Sequence, residues 1–276
     1  MPIINDKIGI GLITCDRPDF FKKSFFSLFD IVQEKTDIEY VVINDGKEKL
    51  PIYPINYIET DGYTGVAKAK NKALHYLIDN GCEHIFLMED DVEITNKNVF
   101  ELYIKASKKT GIKHFNYGLH GNHNKTHLGE PNVLRTIQYP NTDISVDLYP
   151  NVLGAFSYYH IDTIKEVGLM DERFYNAMEH VDHTYQIIQK GYHPPFRYFA
   201  DVNGSRNYLK DIVPDHQQSK IRSEKDFQQT FKKGLDVFIE KNNFSVVNGY
   251  GPIEKVATEE ETIKCLKEIW KKYHQE

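Results

Sequence analysis

Apolar positions in the first third of the chain fall into short blocks separated by amphipathic stretches. Residues 8–14 (IGIGLIT) are apolar and β-branched and stop at the turn Asp16-Arg17-Pro18, which predicts a buried strand. Residues 19–35 carry Phe20, Phe21, Phe25, Leu28, Phe29 and Val32 at helical spacing. A second buried strand is predicted at 39–43 (EYVVI), ending at Asn44-Asp45-Gly46, and a short third one at 55–58 (INYI). Thr64 can N-cap a helix running to Asn80, and Gly81 stops it. The fourth strand, 84–88 (HIFLM), runs straight into Glu89-Asp90-Asp91. This alternation predicts an α/β fold with a mostly parallel sheet covered by helices.

The middle of the chain is less regular. Residues 97–108 read as a helix, and 111–150 as a loop-rich insertion with room for two strands. Residues 152–162 read as a strand leading into a short helix that ends near Gly168, 179–190 as a helix ended by Gly191, and 196–201 as a final strand. From 206 the composition shifts to Lys, Gln, Asp and Asn. The expectation is therefore a main α/β domain over 1–205, with a helical C-terminal extension over 206–276 packed on it. The last helix has the clearest local signature. Thr258 and Glu261 form a capping box, and Ile263, Leu266, Ile269, Trp270 and Tyr273 form one apolar stripe, read as docking on the protein's own body.

Composition narrows the class. The 276 residues are 40% hydrophobic and 27% charged, the mix of a globular protein. With 34 basic and 40 acidic side chains the net charge is −6, which disfavours a generic nucleic-acid coat or a polybasic membrane binder. Cys15, Cys82 and Cys265 are far apart, with no metal-type spacing, and suit a reducing compartment. No apolar run approaches the ~18 residues of a membrane span, and no secretory signal pattern opens the chain. The expected location is cytoplasmic.

Three groups of residues carry chemistry. Asn44-Asp45-Gly46 ends the second predicted strand, where ligands sit in open α/β sheets; its Asp can accept hydrogen bonds from a base or ribose, although such a turn needs no function. Glu89-Asp90-Asp91 places three carboxylates at the mouth of an apolar strand, a cluster that is costly unless a cation or solvent offsets it. Hard cations such as Mg²⁺ and Mn²⁺ take carboxylate oxygens and leave positions open for phosphate. Glu179-His180-Val181-Asp182-His183 opens a helix on which Glu179 shares a face with Asp182 and His183. A carboxylate or imidazole there can accept the proton of a hydroxyl.

The order of these pieces resembles the GT-A fold nucleotide-sugar glycosyltransferases, above all the large family-2-like group. Its opening strand and turn are matched by Ile13-Thr14-Cys15-Asp16-Arg17, and its Val-Val-Asp-Asp-Gly strand end by Val41-Val42-Ile43-Asn44-Asp45-Gly46. The helix start Gly-x-x-x-Ala-Arg-Asn is matched by Gly65 to Asn71, with Lys70 in the arginine's place, and the Asp-x-Asp motif by Glu89-Asp90-Asp91. Gly168 to Phe174 and Glu179 to Tyr192 match the family's Gly-x-x-Asp-Glu-Arg-Phe segment and Glu-Asp helix. The resemblance covers residues 7–205.

It implies a metal-dependent enzyme, a hexosyl- or pentosyltransferase, moving sugar from a UDP-linked donor to a hydroxyl acceptor, with inversion. Thr14, Asp16 and Arg17 are implied in the nucleotide pocket, Asp45 at uracil or ribose, and Lys70 near base and diphosphate. Glu89 and Asp90 are implied near ribose and sugar, and Asp91 on Mn²⁺ or Mg²⁺. Gly65 allows close backbone approach at a helix N-terminus that favours phosphate. The implied acceptor is a saccharide or glycolipid.

Two departures matter. Glu89 replaces the first acid of the metal motif, and His180 replaces the family's basic Asp. His180, Asp182 and Glu179 are then all candidates for the base. With retention no base is needed there, and His180 can also be read as a metal ligand. Asp201, His183 and His216 are candidates for a further metal ligand. The histidines His114, His120, His123 and His127 read better as an acceptor-binding loop than as zinc ligands. The lysine clusters Lys105/Lys108/Lys109/Lys113 and Lys210/Lys220/Arg222/Lys225 keep open a second acceptor, hydroxymethylated bases of viral DNA. A sugar-nucleotide pyrophosphorylase and a non-catalytic nucleotide-sugar-binding module are the other readings.

Overall fold

The structure is a computed structural model that describes residues 7–33, 38–51, 53, 55–212, 225–253 and 255–274. The first strand, β1 (Ile8–Thr14), is buried along its whole length. It pairs in parallel with β2 (Ile38–Asn44) on one side and β4 (His84–Glu89) on the other, and β2 pairs in parallel with β3 (Asn56–Glu59). Beyond β4 the sheet turns antiparallel with β9 (Phe156–His160), and β6 (His114–Asn116) forms the edge, giving the order β3-β2-β1-β4-β9-β6. β1 and β4 are buried on both faces because helices cover both.

On one face, α1 (Pro18–Val32) and α3 (Val99–Thr110) bury Phe21, Phe25, Leu28, Phe100 and Tyr103 against β1 and β4. On the other, α2 (Val66–Asp79), α4 (Ile161–Val167) and α5 (Glu179–Gln189) pack Ala73, Leu74, Leu77, Ile164 and Ile187. Gly11 makes room for α2, since a Cβ there would lie 2.7 Å from that of Ala73.

The insertion expected over 111–150 holds three strands, not two. Besides β6 it contributes β7 (Arg135–Gln138) and β8 (Ser145–Tyr149), which pair antiparallel and are completed by β10 (Phe199–Val202). A small ribbon the sequence pattern missed joins β5 (Val92–Ile94), immediately after the acidic triplet, to β11 (Leu209–Asp211). The expected boundary at 205/206 falls inside a 3-10 turn, Ser205–Asn207, and β11 belongs to the body. Past it, α6 (Phe227–Asn242) buries Leu235 and Phe238 against Phe174, Met178 and Phe196, and α7 (Glu259–His274) buries Leu266 and Ile269 in the cluster beneath α3. Among the described residues no helix is long and apolar enough to cross a membrane.

Candidate active site

Strand order reverses between β1 and β4, and such a switch point leaves a crevice at the strands' C-terminal ends. A cleft of about 540 Å³ opens there, and Arg17, Asp45, Glu89, Asp91, Glu179 and His180 all line it. Thr14, Asp16, Gly65, Lys70 and Asp90 do not line it.

The acidic triplet divides by accessibility. Asp90 is fully buried, accepting from Thr14 Oγ1 at 2.6 Å and from the Arg17 guanidinium. Burial pushes its carboxyl up to about 7 against the pull of Arg17. Arg17 also donates to Asp91 Oδ2 at 3.2 Å, and these acids outweigh its own burial and raise its pKa. Asp91 Oδ1 is buried and has no hydrogen-bond partner, a costly state for a carboxylate oxygen that a cation would relieve. Asp91 therefore fits the metal role implied by the sequence. Among the described residues no group of three or more His, Cys, Asp or Glu side chains forms a cage. A Mg²⁺-like ion of this kind is held by one or two carboxylates with donor phosphates and water. His216 lies outside the described residues.

Glu89 lines the cleft and meets Lys70 Nζ at 2.7 Å. Lys70, which the resemblance implied near base and diphosphate, reaches the cleft through Glu89 and does not line it. It is 1% exposed, and its ammonium also reaches Glu179 at 3.3 Å and the Gly154 carbonyl at 3.1 Å. Burial pulls its pKa down, but Glu89 and Glu179 outweigh that and raise it.

His180 Nδ1 lies 3.0 Å from Glu179 Oε1. With Nδ1 donating there, Nε2 is left to take a proton. Burial alone would push Glu179 up, yet His180 and Lys70 hold it well below the usual carboxylate range. The imidazole rests on Gly154, where a Cβ would come within 2.9 Å of its Cγ and Nδ1. This glycine was not singled out from sequence; nothing local marks it.

Two predicted residues lie elsewhere. Asp182 is 1% exposed and faces α6, where its carboxylate accepts from Lys241 at 2.6 Å and Asn242 at 3.0 Å. Asp201 is also 1% exposed, and its oxygens accept from Tyr103 (2.6 Å), Gly118 (2.9 Å), Ser205 (2.7 Å) and Val202 (2.8 Å). Buried and turned to these donors, neither lines the cleft where a base or metal ligand would have to stand. His183 donates from Nε2 to the Gly168 carbonyl at 3.0 Å, away from the cleft.

The nucleotide-pocket residues are more structural than expected. Asp45 accepts from Thr60 Oγ1 (2.5 Å), Thr64 N (2.9 Å), Thr64 Oγ1 (2.6 Å) and Gly65 N (2.9 Å), so it organises the loop entering α2. Thr64 is thus a ligand of Asp45, and Gly65 occupies the N-cap position. Val66 N donates to the Tyr175 carbonyl at 2.7 Å, so the first amide of α2 is taken by the protein itself. Asp16 accepts from Lys47 N (2.7 Å), Glu48 N (2.8 Å) and the Tyr63 hydroxyl, and Gly46 is needed because a Cβ there would fall 2.1 Å from Asp16 Oδ1.

The histidine loop splits. His114 is buried in β6, between the Tyr158 carbonyl (2.8 Å) and Thr184 Oγ1 (2.9 Å). His120 and His123 line the cleft. His120 Nδ1 bonds Asp211 Oδ1 at 2.8 Å, and Asp211 ends the ribbon strand whose next amide, Ile212 N, donates to the Asp91 carbonyl at 2.8 Å. Burial pulls His120 down, but Asp91 and Asp211 outweigh it and push it up to about 9. The pairing of His120 with Asp211 is a feature the sequence reading missed, since the two lie 91 positions apart.

Three members of the basic clusters are paired with acids. Lys105 pairs with Asp143 at 2.6 Å, Lys210 with Glu93 at 3.1 Å, and Lys113 with Asp162 while lying over Tyr273 at 4.3 Å. Lys220 and Arg222 lie outside the described residues. A phosphate-tracking face gains no support from the rest.

No protein-family model and no curated protein sequence matches the chain. By structure it is similar to S. aureus TarS, with a TM-score of 0.54 and 15% identity over 88% of this chain and 40% of that one. It is also similar to S. aureus TarS 1-349 in complex with UDP-GlcNAc, with a TM-score of 0.53 and 13% identity over 98% and 73% of the two chains. The mannosyltransferase PcManGT from Pyrobaculum calidifontis, in complex with GDP-Man and Mn²⁺, matches at a TM-score of 0.47 and 10% identity over 70% and 53%. The chain thus spans about half or less of the full TarS and PcManGT chains.

Proposed function

The fold is that of the GT-A-type glycosyltransferases, and we propose that this chain is a nucleotide-sugar glycosyltransferase. The observation that carries the reading is that a buried, unpartnered carboxylate oxygen of Asp91 shares one cleft with the Glu179–His180 pair. The first fits a cation beside a diphosphate, the second fits a base for a hydroxyl. A UDP-linked donor is supported by the similarity to a TarS structure that holds UDP-GlcNAc.

In the proposed step the acceptor hydroxyl gives its proton to His180 Nε2 as its oxygen attacks the anomeric carbon. The bond from that carbon to the diphosphate oxygen breaks, and its electron pair leaves with the diphosphate. Glu179 fixes the imidazole and stabilises the imidazolium as it forms, the role of the carboxylate in a triad. Arg17 adds positive charge where the leaving group develops, and His120 lines the same cleft. Mn²⁺ or Mg²⁺ at Asp91 would supply further neutralisation of the same charge. Attack from the face opposite the leaving group inverts the anomeric centre.

Release of nucleoside diphosphate from a panel of UDP- and GDP-sugars, with Mn²⁺ and with EDTA, tests the reading. Turnover of at least one donor that stops in EDTA is expected. No turnover of any donor, with or without acceptor, would overturn it.

A further inference from the structure

The cleft has two chemically different ends. Arg17, Asp45, Glu89, Asp91 and His120 gather at the one beside the parallel strands. The other is walled by α6 and by the segments it packs on. The apolar stripe of α6 runs Phe227, Phe231, Leu235, Phe238, one residue per helical turn. Leu235 and Phe238 are fully buried in the cluster with Phe174, Met178 and Phe196. Phe227 and Phe231 continue the same stripe beyond that cluster, half-buried, with rings 6.1 Å apart, and they line the cleft. Gly234 seats the helix this close, since a Cβ there would lie 2.9 Å from the Ala177 carbonyl. Val246 and Val247 add to the same wall. Arg197 is spent on the wall, its guanidinium donating to the Val246 carbonyl at 2.9 Å and lying 5.5 Å from the Phe196 ring centre.

The apolar wall begins at the proposed base. Val181 follows His180 on α5, and Val152 lies two residues before the Gly154 on which His180 rests. Whatever carries the hydroxyl to be deprotonated therefore has its body against these side chains. Asn151, Tyr175 and Asn176 also line the cleft, but a bare saccharide seated against the apolar side chains would turn hydroxyls to a surface that offers no hydrogen bonds, which is unfavourable. An apolar group gains by leaving water. The whole cleft holds about 540 Å³ and is shared with the donor, so the remaining space suits a ring and not a long acyl chain.

Resting on the transferase reading above, we propose that the acceptor carries an aromatic aglycone, seated between Phe227, Phe231, Val181 and Phe196, next to the hydroxyl that is glycosylated.

Two measurements on the full chain test this. The first titrates the protein with N-phenyl-1-naphthylamine, a neutral aromatic probe that fluoresces in apolar sites. Saturable binding at one site is expected, weakened at least tenfold by Phe231→Ala and less by Phe231→Leu, with UDP affinity by calorimetry and the melting temperature near wild type. No saturable binding, or the same affinity in Phe231→Ala, overturns the apolar site. The second compares phenyl, methyl and dodecyl β-glycosides as acceptors with a donor that is turned over. A kcat/KM at least tenfold higher for phenyl than for methyl, lost in Phe231→Ala, is expected. Equal values for phenyl and methyl, or a preference for dodecyl, overturn the aromatic acceptor while leaving the transferase reading standing. If no donor is turned over, the transferase reading falls, the acceptor assignment falls with it, and the probe titration alone decides the apolar site.

Discussion

His180, Glu179 and Asp182 sit within one turn of α5, yet their surroundings give them different work. His180 reaches the cleft with Glu179 behind it, and Asp182 is turned to Lys241 on α6. The two positions should therefore fail differently. His180→Ala is expected to lower transfer by about 10²–10⁴-fold, the usual worth of a general base, with the donor Kd by calorimetry near wild type. Asp182→Asn is expected to keep kcat within a few-fold and to lose stability, because it removes the buried carboxylate charge that holds Lys241 and Asn242 of α6 and leaves Lys241 with Asp171 alone. A thermal melt lowered by several degrees is the readout. Retained transfer in His180→Ala, or lost transfer in a fully stable Asp182→Asn, would reverse the assignment. At Asp91 the expectation concerns metal dependence. Asp91→Asn should abolish the difference between Mn²⁺ and EDTA in donor turnover, because an amide is a far poorer ligand for a hard cation.

Among the elements, the last helix shows local and long-range signals agreeing. Its capping box forms as the sequence reads, with Thr258 N donating to Glu261 at 2.7 Å and Glu261 N to Thr258 Oγ1 at 3.2 Å. Its stripe docks on the body, with Leu266 and Ile269 buried and Tyr273 under Lys113. The seat depends on Gly111, the left-handed C-cap of α3, with φ 78°, where a Cβ would meet the Ile269 carbonyl at 2.9 Å. Gly111→Ala should thus cost about 1 kcal/mol or more, since it places a Cβ where φ is positive as well as crowding α7. The midpoint of urea unfolding measures this, and an unchanged midpoint would show that α7 does not need the close approach.

For the molecule as a whole, the His120–Asp211 pair ties the loop after β6 to the ribbon beside the acidic triplet. Its imidazole is pushed up to about 9 in the folded chain, from about 6.5 when unfolded. The folded state then binds the proton more tightly. The stability this contributes is full below pH ~6.5 and is lost as pH rises through about 9. Urea unfolding in EDTA should show the wild type losing stability over this interval and His120→Asn losing less. Parallel curves for the two proteins would mean that the histidine is not held as a cation.

Much of this arrangement is written locally. The apolar β-branched runs of β1, β2 and β4 need only burial on both faces to become central parallel strands, and so the turns after them, Asp16-Arg17, Asp45 and Glu89-Asp90-Asp91, arrive together at one sheet edge. The Glu179-His180 helix start was equally legible. What only the tertiary structure decided is which of these groups meets solvent and which meets protein. Lys70, Asp182 and Asp201 read in sequence like site residues, but each is buried against partners far along the chain: Glu179 lies 109 positions from Lys70, Lys241 59 from Asp182, and Gly118 83 from Asp201. The same holds for His120 and Asp211, and for the aromatic end of the cleft, where α6 returns to cover residues 174–199. The periodicity of a helix fixes which side chains share a face, but the partner of each face is set by chain segments brought in from a distance, and burial, charge state and access to the cleft all follow from that partner.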